Sequence, residues 1–180
     1  MRLFLAIDIP EKLKEEGGVI QEEIKDLGNI RLVDEKQIHI TLKFIGEAYP
    51  EKVIEKLKGL EFENFSLVAN KIGFFPNKNY IKVLWLGFEE SEDVQKLYSN
   101  INSRLESLTK KNEHEKFIPH ATIARIQYLT PDNKKKLQTY NSREVPNISF
   151  EVSNIKLMKS TLTSEGPIYE VLEEFAGKAL

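Results

Sequence analysis

The 180 residues contain no cysteine. Disulfides, thiolate metal sites and cysteine nucleophiles are therefore excluded, and the absence fits a reducing cytoplasm, where the protein is expected to act. Histidine is scarce as well, with three in the chain. No two of them sit at ligand spacing on one element, so no metal is expected. No glycine-rich phosphate loop appears, so no nucleotide cofactor is expected either. No apolar run approaches a membrane span, and the opening stretch Met1 to Asp8 turns acidic too soon for a signal peptide. An excess of one charge sign is also missing. Lys plus Arg number 26 against 28 Asp plus Glu, a net charge of -2. Any contact with nucleic acid must then come from a local patch.

What is present is a repeated pattern around two of the three histidines. Ile38-His39-Ile40-Thr41-Leu42-Lys43-Phe44 alternates apolar and polar residues, the period of a half-buried strand. A His and a Thr two apart then stand side by side on one face. The same arrangement returns as Pro119-His120-Ala121-Thr122-Ile123. Eleven residues after each histidine comes a proline, Pro50 and Pro131, that opens a helix; Thr130 supplies an N-cap before the second. Asn70-Lys71-Ile72 is answered by Ser153-Asn154-Ile155. Strands are expected over 3–9, 65–74, 80–88, 120–128, 149–158 and 168–175. Helices are expected over 11–27, 50–60 and 91–109. These repeats indicate an internal duplication, with a His39 half and a His120 half. The expected fold is α+β and bilobed: two pseudo-symmetric lobes, each with a mostly antiparallel sheet and outer helices, and an active cleft between them. No linker separates the halves, so residues 1–180 are expected to form one domain.

Two imidazoles facing each other suit a reaction needing a base and an acid together, since their ordinary pKa near ~6.5 lets one be neutral and the other charged. Hydrolysis of a phosphodiester has that demand. Thr41 and Thr122, each beside a histidine, can hydrogen-bond a non-bridging oxygen as charge builds there.

The two tetrads resemble those of the two-histidine phosphoesterases. More closely, the chain resembles the bacterial and archaeal RNA 2',3'-cyclic phosphodiesterases, also named 2'-5' RNA ligases. The resemblance includes Met1 to Asp8, His39 to Gly46, Pro119 to Arg125, and Lys159 to Thr163 with Gly166-Pro167-Ile168-Tyr169. Ser164 departs from it, where relatives often carry proline, and this touches only a turn. The resemblance implies metal-independent opening of an RNA 2',3'-cyclic phosphate to a 2'-phosphomonoester, and for the reverse direction a 2'-5' ligase joining such an end to a 5'-hydroxyl. It implies His39 as proton donor, His120 as proton acceptor, and Arg125 as a phosphate contact; spacing alone leaves the order of the two histidines open. The expected partner is RNA with 2',3'-cyclic ends, tRNA fragments among them, acted on by a monomer without cofactor. A binding module that keeps the cleft but does no chemistry is the alternative from another class.

Three positions test the strand reading. Arg125 has the opposite parity to His120 and Thr122, so a regular strand turns it away; a bulge or a strand end after Thr122 turns it back. Otherwise it is an outer salt-bridge residue. Phe44 shares the parity of Ile38, Ile40 and Leu42 and is expected in the core, with base stacking at the rim the alternative. Lys43 is expected on the His39 face. His114, between Glu113 and Glu115, is expected on the surface, as is the run Lys134 to Lys136.

Overall fold

Period-two apolar patterns form strands in this chain, and period-3.6 patterns form helices that cover one face of the sheet they build. The computed structural model describes residues 1–110 and 116–180. In order, the elements are β1 (Arg2–Asp8), α1 (Glu11–Ile24), β2 (Gly28–Leu32), β3 (His39–Glu47), α2 (Pro50–Leu57), β4 (Phe65–Asn77), β5 (Tyr80–Phe88), α3 (Glu92–Leu105), β6 (His120–Leu129), α4 (Pro131–Gln138), β7 (Ile148–Val152), β8 (Asn154–Thr163) and β9 (Gly166–Ala176). Two short 3-10 turns, Glu35–Gln37 and Thr139–Ser142, have no sequence forecast. His114 lies outside the described residues.

The helix starts follow from their caps. The Thr130 hydroxyl accepts from the Asn133 amide, with Pro131 in the first helical turn, and Ser91 caps α3 by accepting from Val94. These bonds satisfy amides that the first turn leaves without partners. Leu13, Ile20 and Ile24 of α1, Val53 and Leu57 of α2, and Val94, Leu97, Ile101 and Leu105 of α3 pack into one cluster with the inward rows of the strands. Those rows include Leu3, Leu5 and Ile7 of β1, Ile40 and Leu42 of β3, Leu84 and Leu86 of β5, and Ala121 and Ile123 of β6.

The strands form one antiparallel sheet, curled into a half-barrel, in the order β7-β4-β5-β6-β3-β1-β8-β9, with β2 also on β6. The order is symmetric about its middle: β5 stands beside β6 as β1 stands beside β3. At the centre β3 and β6 meet through the pair Ile40–Ala121. The α+β class with antiparallel pairing is as expected. One strand differs: the stretch expected as 149–158 is two strands, broken at Ser153. β7 pairs with β4 on one flank and β8 pairs with β1 on the other, so the chain crosses between flanks there.

Candidate active site

Both tetrads lie at that central junction. Ile40 and Ala121 are fully buried on the helix-covered face. Their neighbours on each strand must therefore project from the open face. Extending the antiparallel register by one residue sets His39 opposite Thr122 and Thr41 opposite His120. Each histidine thus stands beside the Thr of its own tetrad along the strand and the Thr of the other tetrad across it.

The imidazoles are held alike. His39 Nδ1 lies 2.7 Å from the Gln37 carbonyl, and His120 Nδ1 lies 2.7 Å from the Ile118 carbonyl. A carbonyl only accepts, so each Nδ1 carries the proton and donates it. Nε2 is then the titrating atom of both rings. The two Nε2 atoms differ in one respect. That of His39 is 2.9 Å from the Thr41 hydroxyl, while that of His120 has no partner among the described residues.

Aromatic rings wall both histidines. Phe4 stacks on His39 at 5.2 Å between ring centres, and Tyr169 meets it edge-on at 5.5 Å. Phe75 meets His120 edge-on at 4.8 Å, and Trp85 lies at 5.7 Å. Trp85 is itself packed flat over the backbone of Gly73, where any Cβ would collide with the indole. Burial among these rings is the main cause lowering the pKa of both imidazoles. The His39 shift is opposed by its bond to Gln37 and by Asp8, its partner across β1, and reinforced by Lys14 and His120. The His120 shift is opposed by its bond to Ile118 and reinforced by Arg125. Asp8 is itself bound by Lys156. Among the described residues, no group of three His, Cys, Asp or Glu side chains gathers as a metal-ligand set.

A bulge settles the direction of Arg125. On β5, Trp85 partners Thr122 and Leu84 partners Ala124, so Ile123 is the extra residue. The extra residue reverses parity. Ile123 and Ala124 are both buried, and Arg125 emerges on the open face with His120 and Thr122. The same device recurs on β3, where Ala6 partners Thr41 and Leu5 partners Lys43, leaving Leu42 extra. It overturns two expectations. Phe44 is 69% exposed on the open face, 6.2 Å from the Phe4 ring, instead of in the core. Lys43 is 5% exposed, on the helix-covered side, instead of beside His39.

The β6 bulge has a dedicated clamp that sequence reasoning missed. Gln21 of α1 is buried, and its amide donates to the Val33 carbonyl at 2.6 Å and the Ile123 carbonyl at 2.8 Å. One turn earlier, Gly17 lets α1 approach closely, since a Cβ there would lie 2.9 Å from Ile38 and 3.2 Å from Ile123. The sequence signal is a polar residue in the apolar row of an amphipathic helix, between Ile20 and Ile24. Phe4, Trp85, Phe75 and Tyr169 were likewise unassigned, because wall residues carry no motif of their own.

A family profile described as the 2'-5' RNA ligase superfamily matches residues 11–163. The RNA 2',3'-cyclic phosphodiesterase of Methanocaldococcus jannaschii is 45% identical over 178 residues, covering 97% of this chain and 100% of the relative. The Thermotoga maritima protein of the same name is 37% identical, covering 97% and 94%. A crystal structure from Thermus thermophilus superposes with a TM-score of 0.77 at 26% identity, over 98% of this chain and 97% of the other. The apo form of E. coli LigT shares the fold, with a TM-score of 0.74 at 24% identity over 98% and 97%. The profile runs through both histidine tetrads and the relatives match nearly end to end, so the chain belongs to the 2'-5' RNA ligase superfamily.

Proposed function

We propose that the protein hydrolyses RNA 2',3'-cyclic phosphate ends to 2'-phosphomonoesters, using a histidine pair and neither metal nor nucleotide. The observation that carries this reading is the pair of Nε2 atoms on one open face, each ring fixed through Nδ1 to a main-chain carbonyl. The names of the relatives agree with it.

His120, with its Nε2 unoccupied, is the base. It takes a proton from water as the water oxygen bonds to phosphorus. The bond from phosphorus to the 3'-oxygen breaks, and the Nε2 proton of His39 passes to that oxygen. In-line displacement requires the entering and leaving oxygens on opposite sides of phosphorus, a demand suited to histidines on two neighbouring strands. Thr41, Thr122 and Arg125 donate to the non-bridging oxygens as their charge grows. Afterwards His120 is protonated and His39 neutral, and solvent returns both to their starting states. Phe44 offers a flat apolar surface at the rim against which the terminal base can stack.

The test is product analysis. A nucleoside 2',3'-cyclic phosphate is incubated with the protein in excess EDTA, and phosphorus NMR compares the product with 2'- and 3'-phosphate standards. The expected product is the 2'-phosphate at an unimpaired rate. A 3'-phosphate would mean the acid and base are exchanged relative to the sugar. Activity lost in EDTA and restored only by a divalent ion would overturn the metal-free mechanism.

A further inference from the structure

The chain has five arginines. Two are tied down structurally: Arg104 donates to the Lys58 and Gly59 carbonyls, and Arg143 pairs with Glu23. Arg2, Arg31 and Arg125 make no side-chain hydrogen bond or ion pair among the described residues. Of these, Arg31 and Arg125 are direct cross-strand partners on β2 and β6. Directly opposed residues share a face. Here it is the open face, because the flanking pairs Ile30–Ile126 and Leu32–Ala124 turn the other way, where Ile126 and Ala124 are buried. Like charges directly opposed weaken a sheet. Nothing in the local packing asks for two guanidiniums there, but an anion between them does.

We propose that Arg31 and Arg125 form a second phosphate subsite, which takes the phosphodiester preceding the cyclic end. The substrate is then a ribonucleotide chain and not a lone nucleotide. The direction of the chain rests on the proposed function above. Along β6 the order is His120, Thr122, Arg125, and Arg31 stands opposite Arg125 on β2, which continues the edge of β6 that β3 occupies, beyond His39. Arg125 has five N–H donors and can bridge the reacting phosphate and the next one. Arg31 stands beyond the reacting groups of β3 and β6 and serves the next one alone. Planar guanidiniums fit phosphate in a fork, which a lysine cannot do. A net charge of -2 makes this local pair, and not a global field, the means of holding a polyanion.

The experiment compares Arg31→Gln with the unaltered protein on two substrates: a nucleoside 2',3'-cyclic phosphate, and a short oligoribonucleotide ending in the same cyclic nucleotide. The variant is expected to lose about tenfold in kcat/KM on the oligonucleotide and to change little on the nucleotide. The salt dependence of the oligonucleotide reaction should weaken by about 0.7 in log–log slope, the contribution of one phosphate contact. Equal losses on both substrates would overturn the subsite, because Arg31 would then act on the reacting phosphate. An unaltered oligonucleotide rate would overturn it too. If the unaltered protein turns over neither substrate, the proposed activity fails, and the subsite is judged by fluorescence anisotropy on a labelled oligoribonucleotide with a 2'-phosphate end. Affinity must still fall in Arg31→Gln; equal affinity would refute the subsite.

Discussion

Replacing Gln21 by methionine removes the clamp on the β6 bulge while keeping an unbranched side chain of similar length. Two hydrogen bonds disappear, to Val33 and Ile123. The Ile123 carbonyl keeps one partner, because the Val33 amide also donates to it at 3.0 Å. The Val33 carbonyl is left to find water. At about 1 kcal/mol per neutral hydrogen bond, with some desolvation cost for the orphaned carbonyl, the loss is about 2–3 kcal/mol. For a chain of this size the melting temperature should fall by roughly 5–10 °C. The catalytic consequence is separate. Arg125 reaches the open face only because Ile123 is an extra residue, and a loosened bulge leaves the guanidinium without a fixed aim. A donor that stabilises transition-state charge acts on kcat, so kcat should fall about tenfold with KM little changed. The assay pairs thermal unfolding with steady-state kinetics on a cyclic nucleotide, well below the lowered melting temperature. A double-mutant cycle with Arg125→Ala supplies the deciding number: if Gln21 acts through Arg125, adding Gln21→Met to Arg125→Ala costs almost no further rate. A fully stable variant, or one that melts early but keeps its kcat, would refute the reasoning and leave the bulge held by the strands alone.

Alanine at His39 or His120 should lower kcat by about 10²–10⁴, and the double variant should be far less than multiplicatively worse; near-normal turnover by either single variant removes that histidine from the chemistry. The kcat/KM profile should be bell-shaped with its maximum on the acid side of ~6.5, because burial lowers both imidazoles; an alkaline optimum contradicts this. The same shifts mean that the unfolded chain takes up protons first as pH falls through ~6.5, so stability should drop below that pH and be fully present above it. Denaturant titrations at several pH values measure the drop, and His39→Gln with His120→Gln should reduce it. Gly73→Ala must displace Trp85 from beside His120, and the emission of this sole tryptophan should shift as kcat falls; unchanged emission and rate would mean the indole re-seats freely.

Much of this architecture was legible because its determinants are local. Pro50, Pro131 and Thr130 mark helix starts, and the two tetrads write their strand period directly. The errors occur where a strand changes partner or gains a residue, which are tertiary events. Their traces are small. Apolar parity runs Ile40, Leu42 and then Ile45, and likewise Ala121, Ile123 and then Ala124 and Ile126, so each strand switches rows just past its tetrad. Phe44 follows the row set by Ile45, which is buried, and not the one set by Leu42. The break at Ser153 leaves the same mark, with Phe150 and Val152 on one parity and Ile155 and Leu157 on the other. Arg31 escaped notice because its meaning depends on Arg125, which stands opposite only once β2 and β6 pair.

The pairing of β1 between β3 and β8 has a consequence for how the chain is born. β1 is made before every strand it pairs with, yet one of its edges waits for Lys156 to Ser160 of β8. Tyr169, which closes the wall over His39, comes later still. The flank with His120 needs nothing beyond β7 to fill its strand order. A nascent chain can therefore complete the His120 side while the His39 side stays open at its edge. The histidine translated first is the last to be enclosed, and both imidazoles have their aromatic walls only once β9 has been made.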